Sequence, residues 1–196
     1  MKRAAALAVL LVVLTAPLAA GPLTDLERQH LIAHLQMTEQ WLRDEVAPLS
    51  PAQLAFKPSP EAWSIMQVLD HLVVVGPIYW QDLQRAMKGP PSKAIKSNTD
   101  LDILWYGIDR THREKAIPSE VPNGELRDVR QALDAIRKQH AQLRNYIKTT
   151  SDDLRSRIVE RQGSDAYQWA LLISTHEQRH ILQIREIKGD ATFPAR

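Results

Sequence analysis

From Leu23 onward the chain places apolar residues at steps of three and four, and no run alternates apolar and polar residues as a half-buried strand would. That periodicity restricts the chain to an all-α fold. Four long segments carry it. The first runs from Thr24 to Val46, with Thr24 as N-cap and Glu27 three residues on completing a capping box. Pro48, Pro51, Pro58 and Pro60 then predict an irregular stretch. The second segment begins at Ser64, carries Ile65, Val68, Leu69, Leu72, Tyr79 and Leu83 on its apolar side, and stops at Gly89-Pro90-Pro91. Gly76-Pro77 inside it predicts a kink. The third, Glu125 to Lys148, aligns Leu126, Val129, Leu133, Ile136, Leu143 and Ile147 and is charged elsewhere. The fourth, Asp165 to Lys188, ends at Gly189. Between the second and third lies a connection from Gly89 to Asn123, with a short helix expected over Leu101 to Lys115. A link of that length can cross a whole bundle, so the second and third helices are expected to run parallel. The expected architecture is a four-helix bundle with a long connection between helices 2 and 3.

The N-terminus reads differently. Lys2 and Arg3 precede an unbroken apolar run from Ala4 to Leu14, followed by small residues up to Ala20-Gly21, the three zones of a secretory signal peptide. The run is short of the ~20 residues that span a bilayer. The expected organisation is a signal peptide over 1–20, cut after Ala20, and one domain over 21–196, exported to the periplasm or beyond, with no membrane span once the signal is cut. Removing Lys2 and Arg3 takes the 25 basic residues to 23, equal to the 23 acidic ones. A neutral domain lacks the basic surplus that phosphate backbones demand, which argues against a nucleic-acid partner. There is no cysteine, so disulfides, thiolate metal sites and cysteine nucleophiles are excluded. Any metal must be held by His, Asp or Glu.

Histidine carries the chemical information. His176 and His180 are four apart on the last helix, one turn above the other, and they continue the stripe Trp169, Leu172, Ile173, Ile184, Ile187. Two imidazoles on an inward face need partners for their nitrogens: a metal supplies them, and so does a hydrogen-bonded core pair. His71, in the middle of the second helix's apolar run, is the candidate third ligand. His30 and His34 also stand four apart, but nothing links them to a site, and they read as structural or solvent-facing. The glycines are isolated, so phosphate-cradling loops and nucleophile elbows are absent.

Leu49 to Pro51, Trp63-Ser64-Ile65, Asp70-His71-Leu72, Tyr167-Gln168-Trp169 and the run from His176 to Ile184 together resemble the DinB-like (DinB/YfiT) superfamily. The resemblance covers nearly the whole of 21–196. It implies an up-down-down-up four-helix bundle holding a divalent metal, whether zinc, nickel, iron or manganese, on His71, His176 and His180. It further implies a hydrolase or an S-transferase acting on a small molecule, with a non-catalytic metal-binding or ligand-binding bundle as the alternative, and it allows a homodimer. Where many members of that family carry an acidic residue about five positions after the first histidine, this chain has Gly76.

The run His176-Glu177-Gln178-Arg179-His180 also matches the zincin pattern, in which the glutamate is a general base. Only Glu186 follows as a possible third ligand, about 120° off the histidine face, which speaks against that reading. Glu177 is expected at most at the edge of the site. Arg110-Thr111-His112-Arg113 reads as a solvated loop, and Trp105 and Tyr106 as core packing or a pocket wall.

Overall fold

The computed structural model describes residues 21–92 and 96–195; the signal segment and its cut after Ala20 lie outside them. Among the described residues, six α-helices and one short strand pair occur in the order α1 (Asp25–Val46), α2 (Pro51–Ala55), α3 (Ile65–Lys88), α4 (Asp100–Tyr106), α5 (Val129–Thr149), β1 (Ile158–Val159), β2 (Ser164–Asp165) and α6 (Ala166–Lys188). No helix among them is long and apolar enough to cross a membrane.

Helix starts are set by side-chain caps. Thr24, Ser64 and Asp165 each accept from the amide three residues on, while Glu27, Gln67 and Gln168 reach back to the cap amide. The same device builds α2 inside the proline-rich stretch expected to be irregular: Ser50 and Gln53 cap each other, and Pro51 occupies a first-turn position where no N–H is needed. α5 starts at Val129 rather than Glu125, because Gly124 turns the chain at φ 79° and Asp128 caps the amide of Gln131. α4 ends at Tyr106, well short of Lys115. Gly107 follows it so close to α6 that a Cβ would meet Thr175 Cβ at 2.9 Å. Arg179 of α6 then takes the carbonyls of Tyr106 (3.0 Å), Asp109 and His112, holding the following segment as a non-helical strap. The strand pair, two residues a side, is too short to leave a period in the sequence.

The four long helices pack so that α1 touches α5 and α6, and α3 touches the same two. The contacts give their directions. His34 meets Ser174 while Glu45 meets Arg185, so α1 and α6 run in the same sense. Tyr79 meets Trp169 and His71 meets His176, so α3 opposes α6. Gln139 meets Val73 and Tyr146 meets Trp80, so α5 runs with α3. The long connection is fastened by Arg155, whose guanidinium binds Glu27 (2.9 Å), Asp100 (2.7 Å) and Asp165 (3.2 Å) over the Tyr167 ring.

α3 is unbroken at Gly76-Pro77. Pro77 cannot donate to the carbonyl of Val73, four residues back. Gln139 Nε2 donates to it instead, at 3.0 Å, and Gly76 leaves the room this needs, since a Cβ there would overlap the Gln139 amide.

The apolar core comes in two halves. One gathers Leu31, Leu35, Tyr79, Leu83, Leu143 and Trp169; the other gathers Leu42, Leu69, Ile136, Ile181 and Ile184. Between them every long helix contributes buried polar side chains: Thr38 from α1, His71 from α3, His140 from α5, and His176, Glu177 and His180 from α6. This polar layer through the middle of the core is where chemistry can occur.

Candidate metal centre

α6 positions two of the three imidazoles and α3 the third. His71, His176 and His180 are 3%, 6% and 8% exposed, so all are effectively out of water. Nε2 of His176 lies 3.2 Å from Nε2 of His71 and 3.1 Å from Nε2 of His180. The three residues that the sequence points to are thus brought together.

Burial drives all three pKa values down from the usual imidazole range. His180 falls to about 3, His176 falls well below the usual value under the added repulsion of its two neighbours, and His71 shifts the same way. At neutral pH the rings are uncharged and each carries one N–H. The carbonyl oxygen of Glu120 lies 2.6 Å from Nδ1 of His71, and Gln183 Oε1 lies 2.8 Å from Nδ1 of His180. Both acceptors demand a proton on Nδ1, which leaves Nε2 of each ring with a bare lone pair facing His176. His176 can donate to only one of them. At least one contact therefore sets lone pair against lone pair, which a cation at the centre resolves. Two nitrogens bound tetrahedrally ~2.1 Å from zinc lie ~3.4 Å apart, close to the spacings found here. The donor set fits a divalent ion.

Aromatic rings enclose the triad. Trp63 lies against His71 (5.1 Å), Tyr79 against His176 (5.4 Å), and Tyr106 stacks nearly parallel to His176 at 6.5 Å. Tyr106 is thus a wall of the site, whereas Trp105 is 57% exposed and packs in no core. The strap after α4 reaches His71 through the Glu120 carbonyl, and Gly124 N donates to Asp70 Oδ2 (2.6 Å), holding that segment against α3.

The zincin assignment of Glu177 does not hold. Its carboxylate is turned to α5, with Oε2 3.5 Å from His140 Nε2. Glu186 pairs with Arg110 (3.0 Å), so Arg110 is an ion-pairing residue and Glu186 is not turned to the triad. His34 bonds Ser174 Oγ (2.9 Å), a structural role, and His30 is exposed.

The sequence reading misses one buried cluster. Glu177, His140, Glu39 and Arg144 follow one another at 3.5, 3.6 and 2.5 Å, from the interior to a half-buried arginine. A signal for it exists in α5: His140 fills the seven-residue gap between Ile136 and Leu143 in the apolar stripe.

The family model of the DinB superfamily matches residues 30–184, a span that runs from α1 into α6 and includes all three histidines. The uncharacterized protein YuaE of Bacillus subtilis (strain 168) is 31% identical over 156 residues, which cover 76% of this chain and 91% of that protein. No solved structure gives a significant match.

Proposed function

Since this chain belongs to the DinB superfamily, we propose that it is an exported protein that binds a divalent metal through His71, His176 and His180 and acts as a hydrolase or transferase on a small molecule. The observation that carries the reading is the convergence of three neutral Nε2 atoms, two of them fixed as lone pairs by acceptors on Nδ1. When bound, a divalent ion on three uncharged ligands keeps its full charge, and so lowers the pKa of a bound water or holds a thiolate. The chain's own contribution is a dry site walled by Trp63, Tyr79 and Tyr106, with Glu120 and Gln183 fixing the ligand rings. The helix directions support the family's up-down-down-up bundle, and Lys2-Arg3 ahead of an apolar run supports export.

A second reading has its own support. No carboxylate hydrogen-bonds to the triad among the described residues, and Glu177 points away, which favours a non-catalytic metal binder.

Elemental analysis of protein purified without a His tag tests the metal. Stoichiometric metal, lost on His71→Ala, His176→Ala or His180→Ala, is expected. Protein that stays metal-free after reconstitution with zinc, nickel, iron and manganese overturns both readings. A screen of esters, amides and thiol conjugates then separates them: turnover that the His180→Ala variant lacks marks an enzyme.

A further inference from the structure

All three imidazoles of the triad are buried, so a hydrated ion reaches the Nε2 centre only if part of the surface moves. The strap between α4 and α5 crosses from α6 to α3, the two helices that carry the triad, and its two halves are held differently. Up to His112 the grip is strong: buried Arg179 binds the carbonyls of Tyr106, Asp109 and His112, and Arg110 meets Glu186 with two hydrogen bonds of 3.0 and 3.1 Å. From Arg113 to Gly124 only Glu120 is buried. Ile117 and Val121, the apolar side chains that could anchor this half in the core, are 47% and 43% exposed.

Polar tethers therefore hold the second half. The Glu120 carboxylate pairs with Arg161, the Glu120 carbonyl lies 2.6 Å from Nδ1 of His71, and Gly124 N donates to Asp70 Oδ2 at 2.6 Å. Arg113 adds little, because its pair with Glu186 is 3.7 Å long and exposed. Lifting this half exposes almost no apolar surface, and water can replace each tether, so opening costs a few hydrogen bonds and leaves the core intact. The pin of the segment also sits within the site: the charge of Glu120 acts on His71, Tyr79 and Tyr106.

We propose that residues 113–124 form a lid, which lifts to admit a metal ion and is locked by that ion through the hydrogen bond from His71 to the Glu120 carbonyl. The Nδ1–H of His71 becomes a stronger donor when Nε2 carries a cation, so bound metal and closed lid favour each other. The lock rests on the metal assignment made above; the lid does not.

Hydrogen exchange at the Gly124 amide, followed by NMR, reads the opening, because that N–H is released when the lid lifts. Arg161→Met, in the turn between β1 and β2, strips the Glu120 carboxylate of its partner. In metal-free protein it is expected to speed Gly124 exchange at least about tenfold, while the Leu35 amide in the core of α1 keeps its wild-type rate. Zinc is expected to slow Gly124 exchange in wild type. Stopped-flow uptake of zinc and of cobalt is expected to level off, at high metal, at one common rate set by the opening, and Arg161→Met is expected to raise that plateau. Unchanged Gly124 exchange in Arg161→Met, an acceleration shared equally by Leu35, or uptake that climbs linearly with metal and ignores the substitution overturns the lid. Gly124 exchange that stoichiometrically bound zinc leaves unchanged overturns the lock. Failure to bind any metal defeats the metal reading and the lock with it, and exchange in the metal-free proteins still decides the lid.

Discussion

Two buried groups of titratable side chains adjoin α6, and they solve the problem of burial in opposite ways. The triad gathers three like groups. Its rings are forced neutral, the Nδ1 atoms of His71 and His180 are satisfied by Glu120 and Gln183, and the lone pairs converge with no carboxylate hydrogen-bonded to them among the described residues. The His140 group alternates acid and base from Arg144 through Glu39 and His140 to Glu177, each neighbour offsetting the next. Burial alone therefore does not mark a ligand site: like groups with oriented rings ask for a cation from outside, whereas alternating groups have already supplied their own.

The largest test of that contrast is stability without metal. His140→Ala leaves the Glu177 carboxyl buried beside no base and is expected to destabilise the protein by about 3–5 kcal/mol, read by chemical denaturation. In the same metal-free background His176→Ala should cost less, because it also removes a lone-pair contact. A larger loss from His176→Ala than from His140→Ala would show that the triad is held together as a structural network, and the contrast would fail.

Metal is expected to narrow the difference. Binding to the folded state alone stabilises it by about 2.7 kcal/mol when free metal is a hundred times the dissociation constant. Wild type and His140→Ala should both gain this on zinc addition, seen as a rise in melting temperature, while His176→Ala gains nothing. Equal shifts in all three proteins would place the binding elsewhere.

The triad is legible in the sequence because its signals are local: four-residue spacing on α6, and a histidine in the apolar run of α3. The capping boxes at Thr24 and Asp165 are legible for the same reason. The pattern of α6 itself misleads. Ser174, Thr175, Glu177 and Arg179 suggest a solvated face, yet all are buried, because α4 and the strap after it cover one side of the helix and α1 and α3 cover others. The early end of α4 depends on Arg179, about seventy residues away in sequence, and no window around Tyr106 contains that information.

A smaller effect separates the groups by pH. The close approach of His140 at 3.6 Å, helped by the hydrogen bond from Arg144 and opposed by burial, holds the Glu39 carboxyl down to about 2, below its ordinary 4.5. Its contribution to stability is therefore present above pH 4.5 and lost as pH falls from there towards 2. For His140, burial lowers the pKa, but the charges of Glu177 and Glu39 outweigh it and raise the value above 6.5. That contribution is full below pH 6.5 and disappears as pH rises through the raised value. Melting temperature should decline on both sides, and Glu39→Gln should flatten the acid limb, modestly because Glu39 is partly solvated. An unchanged acid limb in Glu39→Gln would remove Glu39 from the account.

The smallest effect lies where the two groups meet. Gly76-Pro77 stands five residues past His71, and Gln139, next to His140, completes the backbone that Pro77 leaves open. If Gln139 serves to replace the amide that proline lacks, its value must depend on the proline. Gln139→Ala in wild type strands the Val73 carbonyl and should cost about 1 kcal/mol. Pro77→Ala restores an N–H that can reach the same carbonyl, so in that background Gln139→Ala should cost little, giving a coupling of about 0.5–1 kcal/mol in a double-mutant cycle. Additive costs would mean that Gln139 supports α3 through packing alone. A positive coupling would explain how this chain keeps α3 unbroken beside the histidine triad with glycine and proline at consecutive positions: the partner that holds this turn comes from α5.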